Sequence, residues 1–195
     1  LGCRQQAATE APDATKAPAQ TKPEVATTPI VQDSTPPPAA SEGAKQAAAA
    51  LIGRKMPPYP QDLVDVQGVC VPGGEGLDHV CDYGLAVLGR GDLDAGTAQM
   101  LYLVGSRNAD ATADSPVWEV TDALDMPVAD GYQLQMGECR ADNEPDSTIV
   151  ALSRHSGDKE ITTDISWARR YDTASGKFQP IDTAKVSCVD PGYGL

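Results

Sequence analysis

From residue 62 onward, the hydrophobic residues of the chain fall in short runs between turn residues. Residues 132–137 show the clearest pattern, since each apolar side chain is followed by a polar residue or a glycine, which is the period of a strand with one buried face. The same criterion, with the turn residues that bound each run, predicts further strands. These strands lie at residues 63–70, 85–88, 100–104, 117–120, 148–153 and 186–188.

Residues 161–181 carry the strongest local signal, which predicts a β-hairpin. In its first strand, residues 161–171, the large apolar side chains occupy odd-numbered positions and the even-numbered positions are mainly polar. The loop that follows starts at Asp172 and has Gly176 near its exit, as hairpin loops favour. The returning strand begins at Phe178. By contrast, residues 123–128 are predicted to form a loop around Pro127.

About seven or eight short strands separated by turns predict a mainly β fold. We expect an antiparallel sandwich or a barrel-like sheet, because long amphipathic helical patterns are absent from this part of the sequence. Residues 56–195 would then form one β domain, and about 140 residues are enough to bury a hydrophobic core.

The composition changes sharply before residue 56. Residues 4–40 are rich in Ala, Pro, Thr and Gln and contain no aromatic residue. Such a segment cannot offset an ordering entropy of about 1–2 kcal/mol per residue, so residues 4–55 are predicted to form a disordered tether. Its alanine-rich end predicts a short helix at residues 42–53, with Ser41 as N-cap. We expect this helix to be frayed, and a partner-binding role is the alternative.

Charge divides at the same boundary. Residues 1–55 contain six basic and five acidic residues; subtracting these from the totals of 15 and 28 leaves 9 basic and 23 acidic residues in residues 56–195, a net charge of −14. Such a domain lacks the basic footprint that nucleic-acid binding requires. Its charge favours a cationic protein partner. The alternative is a charged surface that only maintains solubility.

Four cysteines lie in the predicted domain: Cys70, Cys81, Cys139 and Cys188. They form no C-x-x-C pair and the two histidines are far apart, so zinc-ligand spacing is absent. We therefore predict two disulfides, for which three connectivities exist. We expect Cys70–Cys81, because the glycine-rich segment between them bends easily, and hence Cys139–Cys188. Each disulfide should stabilise the fold by about 3–4 kcal/mol.

Leu1-Gly2-Cys3 resembles the end of a bacterial lipobox, where a signal peptide is cleaved and a cysteine is lipidated. We expect Cys3 to carry two or more acyl chains, which at roughly 0.8 kcal/mol per buried methylene would anchor the protein to a membrane. A chance tripeptide at a fragment boundary is the alternative. By resemblance to Gram-negative lipoproteins, Arg4 favours the outer membrane, facing the periplasm. No run of 18 or more apolar residues predicts a transmembrane helix.

The sequence contains no complete catalytic motif, and we predict neither a catalytic residue nor a cofactor. Ser106 follows Gly105 but lacks the second glycine of a nucleophile elbow. His79 could serve as a general base beside Asp78, yet both His79 and His155 are better interpreted as surface-loop residues.

Residues 142–146 superficially resemble a calcium-binding loop. They lack the glycine after the third ligand, and Ser153 stands where such a loop has its twelfth-position glutamate. We therefore predict a turn between two strands and no metal site, with weak calcium binding as the alternative.

Several aromatic residues could contact a ligand or fill the core. Trp118, Trp167, Tyr132 and Tyr171 lie in predicted strands, so we expect them in the core. Tyr83 and Tyr193 are predicted to lie in exposed loops and are the expected contact residues.

The segment from Trp118 to Cys188 resembles a group of uncharacterised small Gram-negative envelope lipoproteins. The matching residues are Trp118-x-Val120-x-Asp122-Ala123-Leu124, Gly131-Tyr132-Gln133-Leu134, Gly137-x-Cys139-Arg140 and Trp167-Ala168-x-Arg170-Tyr171-Asp172. This resemblance implies a place in the envelope but no activity. The strand ending in Tyr171-Asp172 is also similar to β-rich periplasmic inhibitor or immunity lipoproteins, which neutralise cell-wall hydrolases.

Three functions from different classes follow from these observations. The first is a membrane-tethered periplasmic lipoprotein that acts as a non-catalytic protein-binding module, with inhibition of a basic cell-wall enzyme as its specific form. The second is an assembly lipoprotein of an envelope complex, and the third is an unrecognised hydrolase. The acidic domain and the missing catalytic motifs favour the first.

Overall fold

The computed structural model describes residues 42–60, 62–110 and 115–194, with side chains from Gln46 onward. The predicted lipidation site, Cys3, and residues 4–41 of the predicted tether lie outside these ranges. The described residues are mainly β, as predicted, with 13 strands in three antiparallel sheets. This is more than the predicted seven or eight, because many of these strands are only two to five residues long.

The first sheet is an antiparallel meander of four long strands with one short edge strand, in the order β1-β5-β4-β3-β2. Its strands are β1 (Lys55–Met56), β2 (Val64–Val71), β3 (Tyr83–Arg90), β4 (Gln99–Asn108) and β5 (Trp118–Asp125). Apolar side chains alternate across it: Leu85 and Val87 pack toward the middle sheet, whereas Leu88 packs on the opposite face, called here the outer face.

The middle sheet has the strand order β12-β11-β9-β6. Its strands are β6 (Gln133–Met136), β9 (Ile149–Ser153), β11 (Ile165–Asp172) and β12 (Lys177–Pro180). All five residues of β9 are buried, because the first sheet covers one face of this strand and the third sheet covers the other. Its uninterrupted apolar run is typical of a strand buried on both faces.

The third sheet is built from short strands in the order β10-β13-β7-β8. These are β7 (Cys139–Ala141), β8 (Glu144–Pro145), β10 (Ile161–Thr162) and β13 (Val186–Val189). Both predicted disulfides are present. Cys139 lies directly opposite Cys188 in the β7–β13 ladder, and their disulfide belongs to the buried cluster between the middle and third sheets.

Helix α1 (Glu42–Ala49) covers the outer face of the first sheet. Ala48 and the following Leu51 are buried with Met56 against Leu88 and Val104. Backbone hydrogen bonds join the segment after the helix to β5. The predicted helix therefore packs against the sheet, ends four residues before the predicted residue 53, and lies in a segment assigned by sequence to the tether.

The sheets differ from the predicted strand pattern at two places. Residues 161–171 form two strands in different sheets, and a register shift between Ile165 and Trp167 places these side chains in different clusters rather than on one face. The predicted loop at residues 123–128 is wrong at its start, because residues up to Asp125 continue β5 and pair with β4.

The β11–β12 hairpin joins the first and middle sheets. The Tyr171 ring lies so close to Gly105 that a Cβ at position 105 would overlap it. The Tyr171 hydroxyl shares a hydrogen bond with Thr121 Oγ1 at 2.6 Å, and Asp122 accepts from the Phe178 N–H at 2.8 Å. Because these groups are satisfied at the contact, the hairpin fixes the two sheets without leaving buried polar atoms unpaired there.

Candidate protein-binding surface

Residues 72–81 form a loop between β2 and β3 that the Cys70–Cys81 disulfide closes; we call it the disulfide loop. The Gly73 N–H donates to the His79 carbonyl at 2.9 Å, and the His79 N–H donates to the Gly76 carbonyl at 3.2 Å. Gly76 adopts a φ of +100°, which glycine reaches without steric cost. The loop is therefore ordered by internal hydrogen bonds as well as by its covalent closure.

The C-terminal end of the disulfide loop is held to the first sheet. His79 Nδ1 lies 2.8 Å from Asp82 Oδ2, and the Asn108 N–H donates to the Asp82 carbonyl at 2.8 Å. Asp82 thus connects the loop to the end of β4. Because its carboxylate accepts from His79 rather than from solvent alone, it limits movement of the loop relative to the sheet.

Two large apolar side chains project from the disulfide loop into solvent. Leu77 begins a single 3-10 turn, Leu77–His79, and Val80 follows it. Leu77 is 89% exposed and Val80 is 55% exposed. Positions three apart in a 3-10 turn share a face, so these side chains form one apolar tip. Glu75 and Asp78 are also exposed on the loop, which makes the surroundings of the tip acidic.

A groove of about 250 Å³ lies beside this loop on the outer face of the first sheet. Its lining includes Gly68 of β2, Gly84 and Ala86 of β3, and Ser106 of β4. Gly68 pairs directly with Ala86 in the ladder, so small residues from neighbouring strands lie together. Cys70 also lines the groove, which places one end of the groove at the base of the disulfide loop.

Two aromatic side chains flank the groove. Trp118 is half-buried on β5 with its ring over Gly84, since a Cβ on Gly84 would meet the indole at 3.3 Å. Tyr59 is half-buried on the segment after β1 and crosses to β2, where its hydroxyl donates to Asp65 Oδ2 at 3.2 Å. Glycine at position 84 lets the indole lie against β3, and glycine at position 68 leaves that part of the groove without a side chain.

Asp65 provides the carboxylate of the groove. Burial raises the pKa of the Tyr59 hydroxyl to about 12, and the negative charge and hydrogen bond of Asp65 contribute to the same shift. The phenol therefore stays protonated and acts as a donor at neutral pH. In the described part of the chain, no basic side chain forms an ion pair with Asp65, so its charge faces the groove and solvent.

The histidines occupy different environments. His79 is exposed in the disulfide loop and pairs with Asp82 rather than with neighbouring Asp78. His155 is half-buried in the loop after β9, with Nε2 2.7 Å from Gln135 Nε2. Among the residues described, no hydroxyl or thiol is hydrogen-bonded to either ring. Ser106 is buried inside β4, at a register shift against β5, and not at the strand-to-helix turn of a nucleophile elbow.

The acidic segment at residues 142–146 contributes to a hairpin. Asp142 and Asn143 adopt positive φ values of 50° and 70° between β7 and β8. Asp146 accepts from Arg170 Nε at 2.9 Å, so its charge is used within the protein. Across the described ranges, no group of three His, Cys, Asp or Glu side chains is arranged to hold a metal ion.

The aromatic residues were predicted only in part. Tyr171 is buried and Trp167 packs against the same core, as expected. Trp118 instead lines the groove. Tyr83, expected in an exposed loop, begins β3 and packs edge-on to Tyr171, with ring centroids 6.2 Å apart. Tyr193 is exposed near the C-terminus, away from the groove lining.

Sequence reasoning missed the main features of this surface. Leu77 and Val80 lie in a correctly predicted loop, but the sequence alone does not show whether an apolar residue in a loop is exposed or buried. The combination of Tyr59, Asp65 and Trp118 depends on pairing between distant segments. The one available signal was glycine in or beside a predicted strand, because strand glycines often mark a close approach of other groups. Gly68 lies within the predicted strand at residues 63–70, and Gly84 directly precedes the one at residues 85–88.

No helix in the described part of the chain is both long and apolar enough to cross a membrane. Comparison of the chain with protein-family models, curated proteins and solved structures gives no match.

Proposed function

We propose that this protein is a non-catalytic protein-binding module, tethered in the periplasm through lipidated Cys3, that binds a cationic partner with its disulfide loop. The observation that carries this proposal is the exposure of Leu77, at 89%, on an ordered loop. A single exposed leucine is common on protein surfaces. In this protein Val80 lies on the same face of the loop as Leu77, and an apolar groove adjoins the loop. The exposed apolar groups are therefore concentrated in one region.

The loop is suited to binding because little further ordering is required. Rigid closure lowers the conformational cost that association must overcome. Complete burial of a leucine side chain in a partner contributes roughly 1.5–3 kcal/mol, which is the scale of an interface hot spot. Leu77 would thus insert into an apolar recess of the partner, with Val80 beside it.

The charge of the domain supports the choice of partner. Residues 56–195 carry a net charge of −14, and Glu75 and Asp78 flank the apolar tip. Charge complementarity accelerates association with a cationic protein and disfavours acidic competitors. Inhibition of a basic cell-wall hydrolase is the specific form of this proposal, since an inhibitor needs a rigid inserted element and a complementary surface.

Affinity capture from an envelope extract tests the proposal. The full-length wild-type chain should retain one basic protein in stoichiometric amount, and high salt should reduce its retention. Leu77→Asp should weaken that retention about tenfold or more, because one buried apolar contact is worth at least that factor. Val128→Asp is the matched control, since Val128 is 74% exposed on a different loop.

Two outcomes contradict the proposal. One is a partner that the wild type, Leu77→Asp and Val128→Asp retain equally, because the disulfide loop would then lie outside the interface. The other is turnover of a chromogenic ester or glycoside by the purified chain without a stoichiometric partner, which identifies a hydrolase.

A further inference from the structure

We infer that the groove between Tyr59 and Trp118 binds a lysine or arginine side chain from an extended segment of the partner. This inference rests on the proposed function, because it names the chemistry that the partner brings to the same surface. Three properties of the groove support it: its size, the chemistry of its walls and the charge at its rim.

The size of the groove fits one long side chain. Its volume of about 250 Å³ is smaller than the roughly 300–1,000 Å³ of most small-molecule and cofactor sites. Its accessible floor is the small-residue surface of Gly68 and Ala86, beside the Trp118 indole that covers Gly84, and an aliphatic stem can lie against this floor in van der Waals contact. Such amphipathic packing, with the stem on apolar surface and the charge beyond it, is typical of lysine and arginine.

The walls of the groove suit a cation more than a neutral apolar tip. Trp118 and Tyr59 are both half-buried, and indole and phenol faces attract cations through the ring quadrupole. Asp65 adds a full negative charge beside the Tyr59 ring. An apolar side chain could pack against the floor, but it would bring no positive charge to the Asp65 carboxylate.

The edge of the first sheet provides a path for the partner segment. β2 is the last strand of its sheet, and within the described residues no strand pairs with its free side. Asp65, Gly68 and Cys70 lie along this strand and also line the groove. An extended segment could therefore run along β2 while one of its side chains enters the groove.

The hydrogen bond between Asp65 and Tyr59 allows a substitution that changes only the charge of the groove. Asp65→Asn removes the charge but keeps an oxygen that can accept from the Tyr59 hydroxyl, so the shape of the groove is preserved. Asp158→Asn is the matched control, because Asp158 is an exposed carboxylate on the loop between β9 and β10.

An NMR titration of the full-length chain with three short peptides tests the inference. The peptides share the sequence Gly-Ala-X-Ala-Gly with blocked ends, where X is arginine, neutral citrulline or apolar norleucine. The arginine peptide should shift the Trp118 indole N–H signal saturably, with about threefold or greater preference over citrulline. Asp65→Asn should remove most of this preference, whereas Asp158→Asn should retain it. An unchanged Trp167 indole signal reports that each variant is folded.

Equal binding of the three peptides, preferential binding of norleucine or the absence of saturable shifts overturns the inference. So does an equal effect of the two aspartate variants. These results leave the proposed function standing if Leu77→Asp still disrupts partner capture. Conversely, arginine selectivity in the groove without any Leu77-dependent partner would support a cation site and contradict the proposed role of the disulfide loop.

Discussion

Asp190 shows how one carboxylate organises the end of the chain. It is only 2% exposed, and it accepts hydrogen bonds from the backbone N–H groups of Ser156, Gly157 and Gly192 at 2.8–2.9 Å. These bonds, that of Gly157 first, lower the pKa of Asp190 below its usual value of 3.8. Because the ionised form is the one that accepts these bonds, the contribution of Asp190 to stability depends on pH.

We predict that Asp190→Asn destabilises the protein at neutral pH, because an amide nitrogen would face a backbone N–H donor. In the wild type, the stabilisation is complete above the unfolded pKa near 3.8 and disappears as pH falls through the lower folded pKa. The difference in melting temperature between wild type and variant should therefore shrink between about pH 5 and pH 2. A difference that is constant over this range contradicts the assignment, and Asp158→Asn provides the control.

At the scale of elements, the two disulfides have different roles. Cys139–Cys188 closes a sequence separation of 49 residues inside a buried cluster, whereas Cys70–Cys81 closes one of 11 residues at the surface. The longer closure restricts the unfolded chain more, and the shorter one shapes an exposed loop.

We predict that removing either disulfide lowers the unfolding free energy, but that only removing Cys70–Cys81 abolishes partner binding. Replacing Cys139 and Cys188 with alanine should cost about 4 kcal/mol of unfolding free energy, and replacing Cys70 and Cys81 about 3 kcal/mol, by the chain-entropy relation. Only the Cys70/Cys81 double variant should lose partner binding under conditions where both proteins are folded. Denaturant unfolding measures the first effect and affinity capture the second. Equal loss of binding in both folded variants would contradict a specific role for the disulfide loop.

Several elements could be predicted because their signals are local. The apolar run at residues 148–153 and the glycine-rich loop between Cys70 and Cys81 both have the predicted character. The register shift at residues 165–167 could not be predicted, because one additional residue in a strand reverses which face a side chain occupies without changing composition. The groove could not be predicted either. Gly68, Gly84 and Trp118 lie on three different strands, and they come together only through the strand pairing of the folded sheet.

At the scale of the whole molecule, the three sheets and helix α1 divide the core into three clusters. Helix α1 packs on the outer face of the first sheet, and the middle sheet is covered on both faces. The helix covers part of that outer face and leaves the groove beside it accessible. The surface that we propose for binding is thus carried by the first sheet, whose strands β2 and β3 hold the disulfide loop at one end.

Site-specific photo-crosslinking in intact envelopes tests the central claim, that the disulfide loop is the partner-binding element. A photoreactive phenylalanine replaces Leu77 in one variant and Val128 in another, both being exposed apolar positions. We predict that irradiation joins the position-77 variant to a single basic protein and leaves the position-128 variant without that product. The absence of a crosslink at position 77, or the same products at both positions, would contradict the account.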